Sequence, residues 1–211
     1  MNTSKHYINK ALIAIIPFLI LLIWSMVDVN SLQHLDNRIT LASYDIRTEW
    51  LTPFFMTITL LGNPPVMVAL TIILALFVYL RHRQTLLSLW VVLMMAIGSL
   101  GINPLVKNLI GRQRPDENLR LVAETTFSFP SGHAFASMSL FGALIIILLL
   151  SMKESKWRTL LITFIGLTII LIGFSRLYLG VHYFSDIIAG YSLGLAWLLV
   201  SYSFVQTHLR T

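Results

Sequence analysis

Residues 175–186 read SRLYLGVHYFSD and stand between two long apolar runs. Within these twelve residues a serine, an arginine, a histidine and an aspartate interrupt a chain that is 56% hydrophobic and 11% charged. Ionisable groups at the boundary of an apolar span are costly, so by default they mark a site that handles ions, protons or anions. His182 and Asp186 are four residues apart, and a helical segment would stack them on one face, about 6 Å apart in rise. A carboxylate so placed holds one imidazole nitrogen in a defined tautomer and leaves the other as nucleophile or base. The competing structural reading is a boundary ion pair beside a snorkelling Arg176.

Outward from this stretch, the composition sets the class. A mean hydropathy of +0.79 over 211 residues excludes an ordinary soluble domain and predicts an all-α, polytopic membrane protein. The absence of cysteine excludes disulfide and thiolate chemistry. Apolar runs predict six spans: 11–27, one that begins near the prolines 64–65 and ends by 80, 85–106, 134–152, 159–174 and 187–205. The first run is longer than a signal-peptide core and is followed by DVNSLQHLD, so it reads as an uncleaved span. Residues 30–50 mix charged and apolar positions and predict an interfacial amphipathic segment.

Six spans put both termini on one side. That side, with the two short loops, carries eight Lys or Arg against Glu154 alone, a net +7, while the other carries seven against eight acids, a net −1. Basic residues concentrate on the cytoplasmic side of membrane proteins, which predicts a plasma-membrane protein with cytoplasmic termini. The overall charge of +6 is thereby accounted for by topology, and no nucleic-acid partner is required.

Three polar clusters then share the outward face: KNLIGRQRP at 107–115, PSGH at 130–133 and the opening stretch. Lys107, Arg114 and Arg176 are three cations in a region of slightly negative net charge, a pattern that suits one anion, and guanidinium forks match phosphate oxygens. Ser131 reads as a helix N-cap and Gly132 permits close backbone approach, so the N–H groups of this helix start add to an anion site. The parts predict phosphoryl chemistry. His182, oriented by Asp186, attacks phosphorus to give a phosphohistidine. His133 protonates the departing oxygen and then takes a proton from the hydrolytic water. Lys107, Arg114, Arg176, Ser131 and Gly132 hold the equatorial oxygens, and no metal or other cofactor is called for.

Lys, six residues, Arg-Pro; Pro-Ser-Gly-His; and Ser-Arg, five residues, His, three residues, Asp: in this order the three motifs resemble the signature of the type 2 phosphatidic acid phosphatase family, which is shared with vanadium haloperoxidases and glucose-6-phosphatase. The resemblance implies one membrane-embedded phosphatase domain over 1–211, with its core motifs in 107–186, and it carries Ser175 with the phosphate-binding set. It implies a membrane lipid as substrate: phosphatidylglycerophosphate, phosphatidic acid or undecaprenyl pyrophosphate. The rival readings are a phosphotransferase that differs only in its acceptor and a non-catalytic lipid-binding protein. The motifs read phosphate alone and carry no information on the lipid tail or on oligomeric state.

Outside the motifs the expectations are modest. Arg112 reads equally as a phosphate ligand or a solvated loop residue. Arg120, Asp116, Glu117 and Glu124 are expected to serve loop solubility and local pairing. Asp36, Asp45 and Trp50 read as interfacial anchors in preference to the lining of a substrate entrance, Tyr178 and Tyr183 as boundary aromatics, and His34, His82 and His208 as surface residues. Gly190 and Gly194 have the spacing of close helix packing.

Overall fold

The structure, a computed structural model, describes residues 3–207; His208, and Arg210 of the basic side, lie outside the described residues. All regular elements among the described residues are helical: α1 (Thr3–Ala14), α2 (Ile16–Val27), α3 (Val29–Asp45), α4 (Leu51–Leu60), α5 (Pro64–His82), α6 (Thr85–Ala96), α7 (Asn103–Ile110), α8 (Gly132–Ser151), α9 (Lys156–Tyr178) and α10 (Phe184–Val205). A π-helical turn, Ile97–Ile102, joins α6 to α7. Among the described residues six stretches are long and apolar enough to cross a membrane: Ser4–Val27, Pro64–His82, Thr85–Ile110, Gly132–Ser151, Lys156–Tyr178 and Phe184–Val205. The chain is a multi-pass membrane protein.

The spans form for ordinary reasons. The first breaks at Ile15, because Pro17 has no N–H for the carbonyl of Ile13. Pro64 and Pro65 open α5, where a missing donor costs nothing. α8 and α10 pack closely at the centre because glycine lets their backbones approach. A Cβ on Gly190 would lie 2.6 Å from the Ser131 carbonyl oxygen, and one on Gly194 would lie 2.7 Å from that of Phe135.

Three departures from the sequence reading position the site. The third span does not stop at 106: it continues to Ile110, where Gly111 closes it in the left-handed region (φ 64) and returns its N–H to the Lys107 carbonyl at 2.9 Å. Lys107 thus rides a helical turn. The π turn, in which the Asn103 N–H reaches back to Gly98, sets the register that brings Asn103 and Lys107 onto one cavity wall. The segment at 30–50 is more than interfacial: α3 has an exposed face, but Leu32, Asp36, Thr40 and Ser43 recur at helical spacing on a buried one, packed against α9 and α10. Three of those four are polar, so this face brings hydrogen-bonding groups to the bundle.

Candidate active site

The last turn of α7, the 111–131 loop, the start of α8 and the 179–183 turn before α10 converge around a cavity of about 710 Å³. Its polar end is lined by Lys107, Arg114, Glu124, Gly132, His133 and His182. From there it runs along α5 and α6 past Met67, Val68, Ile72, Val92, Met95 and Leu100.

His182 is 1% exposed and sits just before α10, whose helix begins at Phe184 with Tyr183 as N-cap. The expected helical stacking of His182 on Asp186 is therefore replaced by a cap. Asp186 accepts the Tyr183 N–H at 2.9 Å, and the turn into the helix brings its Oδ2 to 3.4 Å from His182 Nδ1. Ser128 Oγ stands 3.3 Å from the same nitrogen and donates a short hydrogen bond to Asp186 Oδ2. On the other side of the ring, Nε2 is 3.2 Å from Arg114 Nη1. A guanidinium only donates, so Nε2 is the unprotonated nitrogen and the proton is on Nδ1, facing the carboxylate. Burial foremost, then the charges of Arg114, Lys107 and Arg176, hold the imidazole pKa well below its ordinary range, so the ring is neutral.

Asp186 is itself held from behind. Arg112 donates to its Oδ1 at 2.8 Å, to Ser185 Oγ at 2.7 Å and to Asp36 Oδ2 at 2.6 Å, and lies 4.5 Å above the Tyr183 ring. Asp36, fully buried on α3, also accepts the Ser185 N–H at 2.9 Å. Sequence reasoning left Arg112 undecided and put Asp36 at the membrane interface; both are buried behind the candidate nucleophile. The signal was present in part, since Asp36 and Thr40 share a helical face with Leu32 and Ser43, but the partner of that face lies some 75 to 150 residues away.

The cations have fixed partners as well. Lys107 Nζ donates to the Phe127 carbonyl at 2.6 Å. Arg114 donates to the carbonyls of Thr126 at 2.6 Å and Val181 at 2.7 Å. Arg176 donates to Thr59 Oγ1 at 2.8 Å and forms a short ion pair with Glu124, which also pairs with Arg114 at 3.4 Å. Of the two roles expected of Glu124, local pairing holds in its contact with Arg114, while its second partner, Arg176, lies 52 residues away.

Ser131 caps α8, accepting the Ala134 N–H, and Gly132 faces Asn103, whose Oδ1 would stand 3.3 Å from an added Cβ. His133 Nε2 is 2.9 Å from Asn63 Oδ1, and its ring lies over Gly62. Ser175 differs from the rest. It is fully buried and its hydroxyl donates to the Ile172 carbonyl at 2.6 Å within its own helix, so it makes no contact with the cavity. Tyr178, the last residue of its span, is buried too, bonded through its hydroxyl to Thr48 and Thr52. Trp50, 90% exposed, fits an anchor.

The sequence model of the PAP2 superfamily matches residues 87–210. A curated relative, phosphatidylglycerophosphatase B of Bacillus subtilis, is 32% identical over 176 residues, covering 83% of this chain and 85% of its own. The crystal structure described as the first transmembrane PAP2-type phosphatidylglycerolphosphate phosphatase, also from Bacillus subtilis, superposes with a TM-score of 0.85 at 30% identity over 94% of this chain and 96% of its own. LpxE of Aquifex aeolicus shares the fold, with a TM-score of 0.61 at 21% identity over 80% and 94% of the two chains. A six-span bundle that gathers KNLIGRQRP, PSGH and SRLYLGVHYFSD around one cavity, and that aligns with these relatives over most of its length, belongs to the PAP2 superfamily.

Proposed function

We propose that this PAP2 membrane protein is a lipid phosphatase that works through a phosphohistidine on His182. The observation that carries the reading is the state of that residue: a buried, neutral imidazole with its proton toward Asp186 and its Nε2 lone pair on the side of Arg114 and the cavity. When phosphate binds, the Arg114 hydrogen bond passes from Nε2 to a phosphate oxygen and the lone pair is freed. Nε2 attacks phosphorus, the bond to the leaving oxygen breaks with its electron pair on that oxygen, and His133 supplies the proton. Water, deprotonated by His133, then attacks phosphorus; the P–N bond breaks, inorganic phosphate leaves and His182 is restored. Lys107, Arg114, Arg176 and the N–H groups at the start of α8 neutralise the charge, supported by Ser131 as cap.

The substrate class follows from the cavity. Its polar end accepts a phosphorylated head group and its apolar extension along α5 and α6 accepts a hydrocarbon tail, which enters sideways from the bilayer. Phosphatidylglycerophosphate leads, because the similar Bacillus protein is a phosphatidylglycerophosphatase. Phosphatidic acid and undecaprenyl pyrophosphate offer the same terminal phosphate on an apolar chain. The whole chain works as one membrane-embedded domain. The charge asymmetry between its sides supports cytoplasmic termini and a site that faces outward, at the plasma-membrane surface.

The test is phosphate release from these three lipids by purified protein in detergent with EDTA, beside His182→Ala. Release that persists in EDTA and disappears in the variant is expected, and the substrate ranking assigns the head group. Release lost to EDTA would contradict the metal-independent mechanism.

A further inference from the structure

Glu124, on the cavity wall, pairs with both Arg114 and Arg176. Of the two guanidinium groups assigned to phosphate, Arg114 spends Nε on the Thr126 carbonyl and Nη1 on Val181 and His182, and Arg176 spends Nη1 on Thr59. Their Nη2 groups both reach the carboxylate of Glu124, and Arg114 Nη2 also donates to Thr126 Oγ1 at 3.0 Å. Arg176 is 2% exposed and is not on the cavity wall, whereas Glu124 is on it. The acceptor that links Arg176 to Arg114 is thus a carboxylate on the cavity wall. Glu124 has the freedom to leave: its side chain is 25% exposed, and it belongs to the 111–131 connection, whose one regular element is the single turn Glu117–Leu119.

We propose that Glu124 is a displaceable counter-anion of the phosphate cradle. Before phosphate binds, its carboxylate holds the two arginine forks in place and offsets buried charge. Substrate phosphate, with more charge and more acceptor oxygens, displaces it. After hydrolysis it returns, competing with inorganic phosphate and assisting its release. Glu124 thereby sets the balance between capture of a lipid phosphate and inhibition by the product, through the arginines and without touching phosphorus. The inference rests on the reading of Arg114 and Arg176 as phosphate ligands.

Glu124→Gln keeps the shape and removes the charge. The probe is inorganic phosphate, measured as a competitive inhibitor of lipid hydrolysis and by its effect on the melting temperature. In the variant, phosphate is expected to inhibit at roughly tenfold lower concentration, since the competing charge-assisted bond is gone, and kcat is expected to fall as product release slows. Removal of the counter-ion of Arg176 lowers the melting temperature, and phosphate is expected to restore it further in the variant than in the parent. The variant is purified in phosphate and then dialysed, so the thermal measurement stands even where activity is lost. An unchanged or weaker phosphate inhibition, or a melting temperature that phosphate does not restore, overturns the counter-anion role while leaving the cradle intact. Phosphate that fails to compete with lipid in the parent protein overturns the cradle and the inference together.

Discussion

Arg112 Nη1 lies 2.8 Å from Asp186 Oδ1 while Arg112 Nη2 lies 2.6 Å from Asp36, so one guanidinium ties the carboxylate behind His182 to a helix 150 residues earlier in the chain. Both pairs are almost fully buried, and removal of one partner leaves an uncompensated buried charge that costs about 3 to 5 kcal/mol. Arg112→Ala is expected to lower the melting temperature sharply. Arg112→Lys keeps the charge but not the planar fork. It should fold and lose about a hundredfold in kcat with little change in KM, because Arg112 acts on His182 through Asp186 and does not reach phosphate. An equal loss in KM would place Arg112 among the substrate ligands instead.

Burial and the neighbouring cations hold the His182 pKa well below the ordinary value of about 6.5. The proposed nucleophile therefore stays neutral as the medium becomes mildly acidic, and the acid limb of the kcat/KM profile attributable to it is expected well below pH 6.5. The same depression has the opposite consequence for stability. Below about pH 6.5 the unfolded chain binds a proton at this position that the folded chain refuses, so stability falls as pH drops. Thermal unfolding of the parent and of His182→Asn across pH 5 to 8 checks the sign: the variant should lose less stability on acidification.

Gly62 gives His133 its room. A Cβ there would come to 2.5 Å from His133 Cδ2 and 2.9 Å from Ile172 Cγ2, so Gly62→Ala has to push the ring from Asn63 or move the helices. A misplaced proton donor is expected to cost at least about tenfold in kcat. The loss should be smaller for a substrate whose leaving group needs less protonation, such as a nitrophenyl phosphate. Equal losses on both substrates would assign the effect to general distortion.

Gly190 serves packing alone. Its would-be Cβ meets the Ser131 carbonyl oxygen at 2.6 Å, in the backbone at the start of α8. Gly190→Val is expected to destabilise by about 1 to 3 kcal/mol, the cost of overpacking a closed interface. Thermal unfolding in detergent measures it.

The spans and the three motifs were legible in the sequence because each is local: hydropathy runs for the helices, fixed spacing for Lys107 to Arg114 and for Arg176 to Asp186. What failed to show was long-range. Arg112 has the same appearance as any loop arginine until α3 brings Asp36 against it, and Glu124 resembles its acidic loop neighbours until the loop folds onto Arg114 and Arg176. Ser128 carries no motif of its own, yet it shares the Asp186 oxygen that faces His182. The helical stacking expected of His182 and Asp186 failed for a different reason. The spacing is right, but Asp186 uses its carboxylate to bind the Tyr183 N–H at the helix start, which places His182 outside the helix.

The central claim is a covalent bond between phosphorus and His182 Nε2, and trapping it is the most direct measurement. Lipid labelled in its terminal phosphate is mixed with enzyme slowed by His133→Gln, quenched in alkali, where phosphohistidine survives, and the peptides are mapped by mass spectrometry. The expected result is label on the peptide that carries His182 and none in a His182→Ala, His133→Gln double variant. Label on another residue, or phosphate release that continues undiminished in His182→Ala, would contradict it.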